Sequence, residues 1–556
     1  MVALSVCFAS FVLLWSCAWS YRRPLGDFVN HYETLNYDTT AVLREHGRVR
    51  RSSPTSDHRI DINLKTHQRK FKIRLRRDTE LFTNDFTVEN ADFDPSMIVK
   101  GDVKGHKNSL VHGFISDDGV FEGKIHVGND EYFVESAKEY FKVAPKDFHS
   151  VIYESKDVHY PHAYGPGCGV NEKTKRWMDE VKRSAVKQKE IEKKHITKLE
   201  AFTQRYRRTV GDIDPKKVSC TLKMRADHLF TEHMAGGNKQ RAMMLMAEHV
   251  NAANAIYKNT DFNGDGRFEG IQLQIQRMQA NDSSDAKVAS NPYKDNNIAV
   301  EKLLVLTSEE NHDDVCLSYI FTYRDFADGL LGLAWVAESG GAYGGICEKS
   351  IYFRYGKSLK TKSLNTGIVT FKQYNKTAIK KVSQITFTHE TGHSFGSPHD
   401  SPSRSNCVPG GREGNYIMFA GATSANLKNN RLFSPCSRES INDVMDVKGR
   451  CIADRCCFRD GEGAICGNKV VDEGEECDCG YIGDNSCRMD VCCIGRNANS
   501  GCKLRPGKIC RFISIHCSLC LFFCNIYGSV HEEEQEARKA CCYCILLQGQ
   551  ECFTEN

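Results

Sequence analysis

The spacing of apolar and polar positions changes character twice along the chain. From Tyr21 to about Lys146 polar and apolar residues alternate, as in HQRKFKIRLRRDTELF and GKIHVGNDEYFVES, with Gly and Asp turns between the runs. A period of two predicts an all-β unit there. From Asn171 to Arg208 the chain reads NEKTKRWMDEVKRSAVKQKEIEKKHITKLEAFTQRYRR, long-chain helix formers without Gly or Pro, which predicts helix. After Thr209 the texture becomes α/β. VSCTLKMRADHLF suggests a first strand, and Asn238 to Tyr257 has helical spacing with Met246, Val250 and Ala253 on one face. IQLQIQRM alternates as a strand, and VCLSYIFTY reads as a short buried one.

A chain of 556 residues exceeds one ordinary core, so several domains are expected. The formal charge of +4 is local in origin: Glu172 to Arg208 holds thirteen Lys/Arg against six Asp/Glu, a surplus of seven. Everything else is slightly acidic, which removes the support for a nucleic-acid partner. Cysteine is the stronger signal, because 18 of the 26 lie from Cys451 onward. Such a module needs an oxidising compartment. The N-terminus supplies the route: an apolar stretch from Val2 to Trp19 ends in Ala18-Trp19-Ser20, so residues 1–20 read as a signal peptide. The other reading, an N-terminal membrane anchor, requires a longer apolar segment. Two N-x-S/T sequons, Asn281 and Asn375, suit a secreted surface.

The basic segment ends in Arg205-Tyr206-Arg207-Arg208, the R-x-R-R pattern of furin-like convertases, with cleavage expected after Arg208. Arg48–Arg51 and Arg74–Arg77 match as well. Proteolysis needs an exposed, mobile strand. The Arg74 copy sits inside an alternating strand, whereas the Arg48 copy precedes SSPTSDH, so Arg51 is the second candidate and Arg77 is not one.

The candidate chemistry lies in FTHETGHSFGSPHD. His389 and His393 are four apart, so on a helix both imidazoles leave one face and can bind one ion. Gly396 allows the helix to end in a left-handed turn, bringing His399 in from another direction. Three imidazoles and an open fourth position describe a catalytic zinc rather than a structural one. Glu390, beside the first ligand, is placed to act as general base on a water activated there, the chemistry of an endopeptidase. Chance alone would produce the full pattern in roughly one chain in ten thousand, so histidines merely satisfied in a helix are the weaker reading. Downstream, GNYIMFA places Met418 as the methionine of a turn beneath the metal. Upstream, Cys168 in YGPGCGVNE is the lone cysteine between the signal peptide and Cys220, and its thiolate can fill the open zinc position. The loop DFNGDGRFEG opens like a calcium loop at Asp261, Asn263 and Asp265, but Gln272 stands where a bidentate Glu is needed, so an ordinary turn is expected.

Together these residues resemble the ADAM metalloproteases, and HSVIYESKDVHYPHAYGP, NHDDVCLSYIFTYRDFADGLLGLAWV, GGICEKS and KSLNTGIVT resemble their Kuzbanian or alpha-secretase branch. The likeness runs from about Arg22 to Cys510. It implies a multidomain chain: a mostly-β inhibitory prodomain over 21–208, and an α/β metzincin zinc metalloprotease domain with a mixed twisted sheet and zinc-binding helix over 209–457. A partial disulfide-rich, disintegrin-like domain comes next, over 458–510. It also implies a single-pass membrane protein at the cell surface that sheds ectodomains, with Notch-receptor-like and amyloid-precursor-like substrates and its own prodomain as inhibitor. The same resemblance implies disulfides Cys220–Cys316 and Cys407–Cys436. It further implies that Cys347 pairs near the domain's end, where Cys451, Cys456 and Cys457 are available; the gap from Cys457 to Cys466 resembles the family's, which favours Cys457. CGNKVVDEGEECDCG resembles the calcium-bound start of the disintegrin domain, implicating Asn468, Asp472, Glu475 and Asp478. The chain has no Arg-Gly-Asp, so integrin binding is not supported. The likeness stops after CKLRPGKIC. The tail over 511–556 is unassigned; its apolar run Phe512–Tyr527 is short for a spanning helix, and the 23 cysteines left after the signal peptide and prodomain are an odd number. A truncated C-terminus is therefore expected, which leaves membrane-bound and secreted forms open. The competing readings are a soluble matrix-degrading metalloprotease and a non-catalytic adhesion or decoy module.

Overall fold

The computed structural model describes Leu25, residues 28–186 and 214–450 apart from short gaps, 456–461, and a few positions among Cys477, 493–495 and 501–505. The expected signal peptide, Arg208, the calcium candidates Asn468, Asp472, Glu475 and Asp478, and the tail over 511–556 lie outside the described residues.

The N-terminal unit is built on an antiparallel sheet of eight strands: β1 (Glu33–Leu35), β2 (Ile60–Lys65), β3 (Lys70–Arg77), β5 (Ile98–Val103), β6 (Leu110–Ile115), β7 (Phe121–Val127), β8 (Asp130–Ser136) and β9 (Ser150–Glu154). Their spatial order is β1-β9-β8-β7-β6-β5-β3-β2. In β2 and β3 the alternation seen in the sequence is the burial pattern: Ile60, Ile62, Leu64, Phe71, Ile73 and Leu75 face one core. The expectation of an all-β unit needs one correction, because helix α1 (Thr39–Arg51) crosses this sheet and contributes Val42 and Val49 to that core. Two valines seven residues apart return to the same helix face. The convertase-like quartet Arg48–Arg51 is the last turn of α1 rather than an extended segment, so cutting at Arg51 requires that turn to unwind.

Strand β4 (Phe82–Glu89) leaves this sheet and joins the second one. That sheet runs β13 (Gly332–Ala334), β16 (Thr366–Thr370), β12 (Leu317–Thr322), β10 (Lys217–Ala226), β11 (Gln272–Ala280), β4, with β19 (Arg459–Asp460) on the start of β10. Two hairpins stand apart, β14 (Ile351–Tyr355) with β15 (Ser358–Lys362) and β17 (Lys372–Gln373) with β18 (Lys376–Thr377). All neighbours in the second sheet are parallel except β13 and β19. The first strand ends at Ala226, earlier than VSCTLKMRADHLF suggested, because Asp227 accepts from Phe230 N and caps α3 (His228–Ala235). Asn238 likewise caps α4 (Lys239–Tyr257). Helix α4 is buried on nearly every side, not on the single stripe of Met246, Val250 and Ala253, since it lies between the two sheets. The segment after Asn171 is helical over α2 (Glu172–Arg183), with an Asn171/Thr174 capping box. Helix α5 (Val300–Ser308), the site helix α6 (Lys380–Ser394) and α7 (Pro435–Val444) complete the α/β domain.

Disulfides Cys220–Cys316, Cys347–Cys457 and Cys407–Cys436 tie β10 to β12, the loop after β13 to the domain's end, and the loop after α6 to α7. Cys477–Cys493 holds the C-terminal fragment, and among the described residues Cys168 is a free thiol. No described helix is long and apolar enough to cross a membrane.

Candidate active site

Helix α6 is buried from Phe387 to its end at Ser394, so its polar residues must be satisfied by protein or by a ligand. It stops in a Schellman turn: Ser397 N donates to Gly392 O at 2.9 Å and Gly396 N to His393 O at 2.9 Å, with Gly396 at φ +104. A side chain at Gly396 would also clash with Val444 of α7. This turn reverses the chain and carries His399 back to the helix, where Asp400 N donates to Met418 O at 2.9 Å.

The three imidazoles converge on one point. Nε2 of His389 lies 3.1 Å from that of His393 and 3.2 Å from that of His399, and His393 and His399 are 3.1 Å apart. Two nitrogens bound at zinc's usual distance in a tetrahedral shell stand about 3.3–3.4 Å apart, so this triangle fits the ion. The opposite ring atoms are fixed: Nδ1 of His389 meets Ile417 O at 2.7 Å and Nδ1 of His393 meets Ser397 O at 2.7 Å, which assigns the hydrogen there and leaves Nε2 free to ligate. Burial lowers the imidazole pKa values, His389 to about 4 and His399 to about 2, keeping the neutral form that metals require.

Sγ of Cys168 lies 3.3 Å from His393 Nε2, and the thiol and three imidazoles form one candidate metal cluster. Burial and the neighbouring Glu390 push this thiol up, a preference that a cation among the four donors would reverse. The cysteine is carried by an extended segment laid on the edge of β13: Gly169 N donates to Gly332 O at 2.8 Å, Leu331 N to Gly167 O at 2.7 Å, and Cys168 bridges Gly332 in parallel. Trp177 of α2 stacks on Trp335 at 5.2 Å between centroids, and Lys182 reaches Glu338 at 2.8 Å, holding the segment down.

Glu390 is fully buried, and burial pushes it up to about 8, offset in part by a hydrogen bond from the Cys168 thiol. A carboxylate with raised pKa in such a pocket suits proton transfer near neutrality. Gly332 faces it; a Cβ there would meet Glu390 Cγ at 2.5 Å. Met418 is buried beneath the helix, with Sδ 2.5 Å from where a Cβ of Gly392 would stand. A small, half-open cavity of about 30 Å³ beside His389 and Glu390 is walled by Leu331, Val382, Ile385 and Ile417, with Gly167 and Cys168 on its outer side.

Other sequence candidates fall outside this cluster. Asn375 is exposed at the tip of the β17–β18 hairpin, and Asn281 is half-buried after β11. In DFNGDGRFEG, Asp261 accepts from Gly264 N and Gly266 N, while Glu269 accepts from Phe262 N and Asn263 N. These carboxylates close a turn. Sequence reasoning missed Gly332 and the Trp177–Trp335 stack, since only the pairing of 167–170 with β13 gives them a role. It also missed a buried ionic layer between the units. There Glu122 meets Arg241 at 2.7 Å and Lys380 at 4.0 Å, and Lys380 meets Glu248 at 3.0 Å.

The fold and this donor set define a metallopeptidase domain, and residues 239–447 match the family described as Metallo-peptidase family M12B Reprolysin-like. The metallopeptidase domain is of that family, and the chain as a whole is similar to disintegrin and metalloproteinase proteins. It is similar to disintegrin and metalloproteinase domain-containing protein 10 of Bos taurus, 41% identical over 88% of this chain and 65% of that protein. The Homo sapiens protein of that name is 39% identical over 86% of this chain and 63% of its own length. The Caenorhabditis elegans homolog is 36% identical over 87% and 58%. The chain thus spans a little under two thirds of the length of the Bos taurus and Homo sapiens proteins it matches.

Proposed function

We propose that this protein is a zinc-dependent endopeptidase that sheds ectodomains of membrane proteins and is made as a latent precursor. The observation that carries the reading is the Nε2 triangle of His389, His393 and His399 with Glu390 buried beside it. Zinc held there supplies a Lewis acid that acidifies water and polarises a peptide carbonyl. Glu390 takes the proton from the attacking water and returns it to the leaving amine. The edge of β13 receives the extended substrate through main-chain hydrogen bonds, and the small cavity by Leu331 and Val382, opened when Gly167 and Cys168 leave it, receives an apolar side chain. Residues 21–208 act as the inhibitory prodomain, Cys168 fills the fourth metal position, and Met418 forms the turn below it. A furin-like convertase cuts after Arg208. The resemblance to the alpha-secretase branch makes Notch-receptor-like and amyloid-precursor-like proteins the substrates, at a cell surface reached through the secretory pathway. Calcium at Asn468, Asp472, Glu475 and Asp478, and glycans on Asn281 and Asn375, belong to the same reading.

The test uses the convertase-processed chain freed of its prodomain. Glu390→Ala is expected to lower kcat/KM for a peptide substrate by about 10²–10⁴ while zinc stays stoichiometric. Equal turnover by both forms would sink the mechanism.

A further inference from the structure

Strand β11 forms the edge of the metallopeptidase sheet opposite β13, and in this chain the N-terminal unit covers it. Residues 80–93, ELFTNDFTVENADF, run parallel to β11: Ile275 N donates to Leu81 O at 2.8 Å, and Ile275, Arg277, Met278 and Gln279 face Phe82, Thr87, Val88 and Glu89. Two buried glutamines of β11 find partners in this segment, Gln274 Nε2 on Glu80 O at 3.0 Å and Gln276 Nε2 on Asp85 Oδ2 at 3.1 Å. Phe82, Phe86 and Phe93 cluster, with centroids 4.6–6.1 Å apart, against the metallopeptidase core. Charge is complementary at both ends: Lys258 meets Glu80 at 3.3 Å, and Arg459 meets Asp85 at 2.8 Å.

Loss of the prodomain would leave β11 a nine-residue edge with an apolar flank, two amide donors without their partners and a basic rim. Proteins do not leave such edges bare: they blunt them with Pro, short strands or repeated charge, and QLQIQRMQA has one charge and no Pro. The event that opens the catalytic cleft also uncovers this edge, so its later occupant meets the active form alone. We propose that the β11 edge is a second docking site, taking an extended acidic and aromatic segment of a protein substrate by strand addition, with residues 80–93 holding its place in the precursor. This rests on the protease reading above. The two docked segments are six strand spacings apart, about 28 Å, so one substrate reaches both only through a connecting stretch of chain.

Two arms test this on the prodomain-free, convertase-processed chain. In the binding arm, fluorescein-labelled ELFTNDFTVENADF is titrated against the Glu390→Ala form, which cannot consume it. Saturable binding is expected, with at least tenfold loss on Lys258→Glu with Arg459→Glu and none with a scrambled peptide. In the kinetic arm, one cleavable peptide is compared free and joined to the same segment by a flexible linker of about 20 residues, which reaches at most about 70 Å. The joined substrate is expected to have a KM at least about tenfold lower at unchanged kcat. The charge-reversed enzyme should lose that gain and still turn over the free peptide normally. Absence of binding, binding indifferent to the charge reversal, or equal KM values would overturn the proposal. Binding without turnover of any peptide would instead remove the protease reading and, with it, the substrate as occupant.

Discussion

Cys168 places its sulfur 3.3 Å from Nε2 of His393, two residues separated by 225 positions in sequence. The thiol joins the imidazole cluster, and it is held there by the bridge to Gly332 and the Trp177–Trp335 stack rather than by its own bonding alone. Under the proposed function, latency therefore has two sources, a ligand and a blocked strand edge.

The first prediction separates them. Cys168→Ser in the uncleaved precursor removes the ligand and keeps the segment on β13. Peptide turnover is expected to rise several-fold over the native precursor and to stay well below that of the prodomain-free chain. Full activity in the uncleaved variant would show that the thiol alone maintains latency.

Arg241 offers a test of the ionic layer. Its guanidinium bonds Glu122 at 2.7 Å and Glu139 at 2.7 Å, both on the N-terminal unit, and Glu122 is almost wholly buried. Breaking a buried pair from one side costs about 3–5 kcal/mol. Arg241→Ala should therefore weaken retention of the cleaved prodomain by about 10² or more, read by size exclusion after convertase treatment. Unfolding of the prodomain-free chain should be little changed.

Acidity should loosen the same interface. His112 and His126 stack with centroids 5.9 Å apart on β6 and β7, facing Lys124 and Glu131 of the N-terminal unit and Lys380, Lys381 and Arg431 of the metallopeptidase domain. Burial lowers both, His126 to about 4 although Glu131 pulls it back up. A depressed imidazole is neutral in the assembled state, so its contribution is complete above the free value near 6.5 and is lost as pH falls from there toward 4. Each histidine then adds a slope of up to about 1.4 kcal/mol per pH unit. Prodomain retention measured from pH 7.5 to 5 should decline, and the double variant His112→Asn with His126→Asn should flatten that decline.

The turn after α6 is the fourth target. Gly396 has φ +104, and a methyl there would clash with Val444 Cγ2. Gly396→Ala should destabilise the prodomain-free chain by about 2–4 kcal/mol in denaturant melts, from the left-handed backbone and the overpacking together. Zinc occupancy should drop as well, because His399 comes just after this turn.

Much of the site is legible along the chain, because local chemistry fixes it. The spacing of His389, Glu390 and His393 sets one helix face, Gly396 sets the stop, and His399 comes within a few residues; all of it spans eleven positions. The strands β2 and β3 are legible for the same reason, as one face of each meets solvent and burial then copies the period of two. Helix α1 is not, since its two core valines are too few to outweigh the surrounding alternation, and it owes its place to the sheet beneath it.

The sequence by itself therefore determined the chemistry of the metal site, the α/β class of the domain around it and the disulfide-rich character of the C-terminal region. Only the tertiary structure decided that β4 would leave its own sheet to cap β11, that Gly332 would meet both Cys168 and Glu390, and that Arg241 and Lys380 would face Glu122. These relations join residues far apart along the chain. Edge hydrogen bonds and buried charge take their energy from which surfaces meet, and no local pattern of residues records that meeting.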